Sequence, residues 1–171
     1  GIVHGLDVFL PGLIEQDEGH VVMTASIAGH TSFAGLGPYN ASKHATVTIA
    51  ETLHAELREV GSQVGVSCLC PGFVATNIFS AVRNRPESLQ DAPGDPLDDE
   101  EQLGREALLE WMAANALQPA AVADMVHDAV TSDTFWIFTD EDHLIQIAER
   151  HERIRTRQDP NARRISDDLF D

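Results

Sequence analysis

Residues 20–72 read HVVMTASIAGHTSFAGLGPYNASKHATVTIAETLHAELREVGSQVGVSCLCPG, and this stretch decides the fold. It opens on His20-Val21-Val22-Met23-Thr24, a short run rich in β-branched residues of the kind that forms a strand buried on both faces. It closes on a second such run, Val64 to Cys70, ended by Pro71-Gly72. Between them Ala41, Ala45, Ile49, Leu53 and Leu57 step by four, with Pro38 where a helix begins and Gly61 where one is capped. Strand, helix, strand with so long a crossover predicts a βαβ unit in a parallel sheet. The fold class is therefore α/β.

Working outward, Ile2, Leu6, Phe9, Leu10, Leu13 and Ile14 recur at helical spacing, with Pro11-Gly12 expected to kink or break that helix near its last turn. Residues 25–37, small and glycine-rich, read as a loop. Residues 87–101 hold seven acids and no base, which predicts a solvated loop or a segment over a substrate pocket. Helices are expected over 103–117 and 119–130, a third strand over 135–139, and a charged amphipathic helix from 141 to about 157. The last dozen residues read as frayed. No internal repeat is present.

The chain has 171 residues and a formal net charge of −17, from 28 acids against 11 lysines and arginines. Such a chain repels nucleic-acid backbones, so no nucleic-acid partner is expected. No apolar run is long enough to span a bilayer, so no membrane partner is expected either, and a cytoplasmic location fits this balance. The two cysteines, Cys68 and Cys70, fall two apart on a strand and so share a face as reduced core residues. The eight histidines lack His-x-x-x-His or His-Glu-x-x-His spacing, and no metal site is expected. The segment 24–28 lacks both glycines of a Gly-x-Ser-x-Gly elbow, which argues against a serine hydrolase.

Tyr39 and Lys43 lie four apart on one helix face. A phenol, with its ordinary pKa near 10, exchanges protons poorly at neutral pH, and a neighbouring ammonium corrects this by stabilising the phenolate. The pair is thus a sensible general acid/base, although the spacing alone also fits an ordinary surface pair. Ser26 follows the first strand and Pro71-Gly72 follows the second, so both fall at the carboxyl edge of the sheet, where ligands of α/β folds gather.

Met23-Thr24-Ala25-Ser26-Ile27-Ala28-Gly29, Tyr39-Asn40-Ala41-Ser42-Lys43 and Pro71-Gly72-Phe73-Val74-Ala75-Thr76 together resemble the short-chain dehydrogenase/reductase family. The opening residues 1–14 resemble the helix that precedes its serine strand. The resemblance is firm over about residues 1–78, loose from there to 140, and absent from the tail. It implies a Rossmann-like, doubly wound fold and an oxidoreductase that moves hydride between NAD or NADP and an alcohol or carbonyl substrate. Tyr39 would transfer the proton, Lys43 would lower its pKa and hold the cofactor ribose, and Ser26 would hydrogen-bond the substrate oxygen. Pro71, Gly72, the backbone at Val74 and the hydroxyl of Thr76 would lie against the nicotinamide, with Thr24 among the cofactor contacts. Ile27, Phe33, Phe73 and Phe79 would line an apolar substrate pocket.

The resemblance also implies a homodimer or homotetramer. It divides the chain into a catalytic half over 1–140, with a substrate-loop region at 78–118, and a helix and tail over 141–171. The family's glycine-rich Thr-Gly-x-x-x-Gly-x-Gly loop and its Asn-Ala-Gly segment have no counterpart in these residues. Its catalytic asparagine would fall about three residues before Gly1. The first βαβαβ half is accordingly expected to be missing, and the 171 residues by themselves are expected to be inactive. Two other readings stand beside the dehydrogenase. One is a non-catalytic oligomerising module; the other is an epimerase or dehydratase built on the same Tyr-Lys pair.

Overall fold

A computed structural model describes residues 1–78, 84–89, 99–162 and 164. Its elements in chain order are α1 (Ile2–Gln16), β1 (His20–Thr24), α2 (Gly37–Glu59), β2 (Gly65–Cys70), α3 (Asp99–Asn115), α4 (Pro119–Thr131), β3 (Trp136–Phe138) and α5 (Asp142–Arg155). The three strands form one parallel sheet in the order β1-β2-β3, with Val22 opposite Ser67 and Leu69 opposite Ile137. The fold is α/β with a parallel sheet, as the 20–72 stretch predicts, and Rossmann-like, as the family resemblance implies.

Every residue of β2 is buried, because it is the central strand and both of its faces are covered. On one face Met23, Val66, Cys68 and Cys70 pack with Val47, Ala50, Leu53 and Leu57 of α2, and Ile2, Leu6, Leu10 and Leu13 of α1 close over them. On the other face Leu69 and Ile137 meet Val122 and Ala129 of α4. The alternation along β2 thus feeds two cores. Its one buried hydroxyl, Ser67, donates to the Thr134 carbonyl at 2.7 Å and pairs with His20 Nε2 at 2.7 Å, so it carries no desolvation penalty.

Three local expectations need correction. Helix α1 runs unbroken through Pro11 and Gly12, since four side chains of its inner face remain packed on the core. The loop expected over 87–101 is in part helical: Glu87–Leu89 form a 3-10 turn and α3 already begins at Asp99. Residues 25–37 contain a further 3-10 turn, Ile27–Gly29. The cap at Gly61 is found as expected, with φ of 73° and the Ser62 N–H returning to the Leu57 carbonyl.

The end of α1 is tied to the start of β2 by one carboxylate. Asp17, itself left-handed at φ 50°, accepts at Oδ1 from the Gln63 N–H at 2.8 Å and from Ser62 Oγ at 2.9 Å. The Gln63 backbone bond, then the Ser62 hydroxyl, hold its pKa below the ordinary carboxylate value. A carboxylate pKa depressed by folding stabilises the native state above the unfolded value, near 3.9, and the effect fades as pH falls through the folded value. Asp17→Ala should therefore lower Tm at neutral pH, and the gap to wild type should narrow below about pH 4 to the pH-independent cost of alanine at φ 50°. Thermal melts across that range check this; a gap independent of pH would remove the charge from the explanation.

Candidate active site at the carboxyl edge of the sheet

Pairing of β1 with β2 continues one step past the strand ends. The Ala25 N–H reaches the Leu69 carbonyl at 2.8 Å and the Ile27 N–H reaches the Pro71 carbonyl at 3.1 Å. This holds Ser26 extended at the lip of the sheet, where it caps the Ile27–Gly29 turn by accepting from the Ala28 N–H at 3.2 Å. Ser26 is only 7% exposed, and its hydroxyl lies 3.5 Å from the Pro71 carbonyl. That is a long, weak bond, and the proton can turn to a better acceptor.

Tyr39 and Lys43 stand on the first turns of α2, with Pro38 in the opening turn, where a missing N–H costs nothing. Lys43 Nζ lies 5.6 Å from the centre of the Tyr39 ring, within cation–π range. It also donates to the Thr24 carbonyl at 3.1 Å, which fixes the ammonium between the helix and the end of β1. Burial lowers the Lys43 pKa below the ordinary lysine value. Asn40, buried beside them, donates from Nδ2 to the Phe33 carbonyl at 2.9 Å and so pins the preceding loop to the helix. Gly29 lets the serine turn sit against α2: a Cβ there would sit 2.7 Å from Val47 Cγ2 and 2.9 Å from the Lys43 carbonyl oxygen.

After β2 the chain turns at Pro71-Gly72. The Gly72 N–H donates to Thr139 Oγ1 at 3.0 Å, and a Cβ on Gly72 would collide with the His143 ring. Val74 forms a single parallel bridge to Leu117, through the Ala75 N–H to the Leu117 carbonyl at 2.9 Å and the Leu117 N–H to the Phe73 carbonyl at 3.1 Å. No described residue accepts from the Val74 N–H. Thr76 is exposed. The structure thus places two bonded pairs at the sheet edge, Lys43 with Thr24 and Ser26 with Pro71, with Tyr39 over Lys43 and with Gly72, Val74 and Thr76 on the strand extension beyond them.

The expected apolar wall is rearranged. Phe73 packs edge-on against Trp111 of α3 with ring centres 5.3 Å apart, Ile27 is buried beneath its own turn, and Phe33 lines a cleft facing α5. Phe79 lies outside the described residues. Trp111, Thr139 and His143 went unnoticed in the sequence, because each meets the site only through long-range packing. Behind the site Cys68 and Cys70 are both free and fully buried, their sulfurs 3.7 Å apart. The hydrogen bond to Cys68 and then burial push the Cys70 thiol up, which keeps it protonated. No group of three or more histidine, cysteine or acidic side chains suited to a metal ion occurs among the described residues, nor does a helix long and apolar enough to cross a membrane.

Known proteins are similar to this chain in sequence and fold. The family model for short chain dehydrogenases matches residues 1–87. Among solved structures, a short chain dehydrogenase/reductase from Burkholderia phymatum in complex with NAD is 39% identical, with a TM-score of 0.83 over 94% of this chain and 57% of that one. A CLA biosynthesis dehydrogenase/reductase from Lactiplantibacillus plantarum is 29% identical over 94% of this chain and 56% of its own length. A 1-deoxy-11-beta-hydroxypentalenate dehydrogenase from Streptomyces exfoliatus is 31% identical over 85% of this chain and 44% of its own. The chain spans about half the length of these curated relatives. With the matched region running from α1 through the serine turn, the Tyr-Lys helix and the Pro-Gly turn, the chain belongs to the short-chain dehydrogenase family.

Proposed function

We propose that the intact protein is an NAD- or NADP-dependent oxidoreductase acting on an alcohol or carbonyl substrate, with Tyr39 as its general acid/base. The observation that carries this reading is the bond from Lys43 Nζ to the Thr24 carbonyl, which seats an ammonium under the Tyr39 ring beside Ser26. The donor set fits a nicotinamide. The Val74 N–H can meet a carboxamide oxygen, the exposed Thr76 hydroxyl can meet its amide, and Lys43 retains donors for a ribose hydroxyl. The cofactor, when bound, supplies the hydride acceptor or donor.

In the oxidative direction Ser26 Oγ turns from the Pro71 carbonyl to the substrate oxygen and fixes its position. Tyr39 Oη takes the hydroxyl proton while hydride leaves the carbinol carbon, so that a carbonyl forms. Lys43 holds the phenolate by its charge. Reduction runs the same steps backwards, with Tyr39 giving the proton. Phe73 and Trp111 present aromatic surface beside the Pro-Gly turn, which favours a hydrophobic substrate. In this reading 1–140 form the catalytic half and 141–171 an appended helix and tail, in a cytoplasmic protein.

A homo-oligomer is the assembly we propose, since Val3, Val8 and Phe9 of α1 are at least three-fifths exposed, apolar surface that the described residues leave uncovered. That same surface supports the second reading, a non-catalytic oligomerising module. The test is direct. The intact protein, given NAD or NADP and a panel of secondary alcohols, should generate reduced nicotinamide; silence with both cofactors across the panel and its ketones would overturn the dehydrogenase and leave the module and the epimerase or dehydratase.

A further inference from the structure

Helix α5 turns an unusual face inwards. Residues 143, 146, 147, 150 and 153 are its half-buried positions, a spacing that apolar side chains normally occupy. Here three of the five are Gln146, Arg150 and Arg153. They face Thr31, Ser32 and Phe33 across a cleft of about 240 Å³.

Among the described residues the arginines lack the partners expected of them. In a chain carrying 28 acids against 11 bases, a half-buried guanidinium should find a carboxylate. Arg155, on the outer face of the same helix, does so with Glu152 at 2.6 Å. Arg150 has no carboxylate partner and no hydrogen bond among the described residues, and Arg153 donates only to the Asp159 carbonyl at 3.3 Å. His30, packed between the cleft loop and β3, has its pKa lowered by burial first and then by the neighbouring His44, His151 and Arg150, so the positive charge of the cleft is that of its two guanidiniums. The opposing charge at the cleft is Glu149, which is exposed and so more strongly screened by water than the two half-buried guanidiniums. Ser32 offers an exposed hydroxyl with no hydrogen bond among the described residues.

We propose that this cleft binds an oxyanion, the phosphate or carboxylate of a small metabolite, gripped by Arg150 and Arg153 and met by the Ser32 hydroxyl. Guanidinium groups recognise both anions by paired charged hydrogen bonds, and the volume suits a molecule of few atoms. The site is separate from the dehydrogenase reading and stands without it. The loop it touches runs from the Ser26 turn to Tyr39, so occupancy would brace the segment between them.

Calorimetric titration of the full-length protein with inorganic phosphate, and separately with malonate, tests this. One saturable site is expected for at least one anion. Arg150→Gln and Arg153→Gln should each raise its Kd tenfold or more, about 1.4 kcal/mol, while Arg155→Gln leaves it unchanged. Tighter phosphate binding would assign a phosphorylated ligand and tighter malonate binding an organic acid; either supports the site. Absence of saturable binding for both anions overturns it. So does an affinity untouched by Arg150→Gln, because the anion would then be held elsewhere in the protein. Should an arginine variant fail to fold, Ser32→Ala replaces it, with a severalfold weaker affinity expected and an unchanged one counting against the site.

Discussion

Tyr39→Phe in the intact protein is expected to lower kcat by roughly 10²–10⁴-fold, the range for losing a general acid/base, with KM and Tm close to wild type. The substitution isolates the proton because of where the residue sits. The ring is 38% exposed on the first turn of α2, and no described residue hydrogen-bonds its hydroxyl. Phenylalanine therefore keeps the ring, its packing and its contact with Lys43, and loses only Oη. A structural role would appear as a fall in Tm of the kind seen when a buried polar network is broken, and nothing in the local bonding predicts one. An effect confined to kcat assigns the proton transfer to Tyr39. Turnover unchanged in the variant would show that another group moves the proton, and would end the proposed mechanism while leaving the family membership intact.

The parts of the site that are local in sequence are the legible ones. The Tyr-Lys pair is legible because both residues lie on one helix, and Ser26 because it follows a strand whose apolar run marks its own end. The two-faced burial of β2 follows from a run in which every second residue serves a different core. The break expected at Pro11-Gly12 fails for an energetic reason. Proline within a helix costs about 3 kcal/mol, whereas Leu6, Leu10 and Leu13 with Ile2 each recover part of the 1.5–3 kcal/mol that full burial of such a side chain is worth. Together they outweigh it. The contacts that escaped notice are those joining distant segments: Thr139 to Gly72, Trp111 to Phe73, Asp17 to Gln63. No periodicity announces them, since each depends on how separate elements dock. The inward arginines of α5 escaped for a related reason, as a charged helix face reads as solvated until its orientation is known.

Gly29→Ala should destabilise the protein by about 1–3 kcal/mol and depress turnover as well, although the added group is a single methyl. The difficulty is space, not backbone conformation, since Gly29 is not among the glycines of positive φ. Its new Cβ would sit 2.7 Å from Val47 Cγ2 and 2.9 Å from the Lys43 carbonyl oxygen. The valine methyl can turn aside; the carbonyl belongs to the backbone of α2 and cannot move without disturbing the helix. Gly29 cannot shift within its own turn either, because its N–H is bonded to the Ser26 carbonyl at 2.9 Å. Relief must therefore separate the Ser26 turn from the Lys43 segment, the two pieces whose closeness makes the proposed site. For a chain of this size each kcal/mol corresponds to about 2–4 °C in Tm. Gly104→Ala in α3 is the control: its Cβ meets nothing within 4 Å, and helix propensity alone should stabilise it by about 0.5–1 kcal/mol. If Gly29→Ala instead melts and turns over like wild type, the turn and the helix are not in contact, and the Lys43 anchor would have to be sought elsewhere.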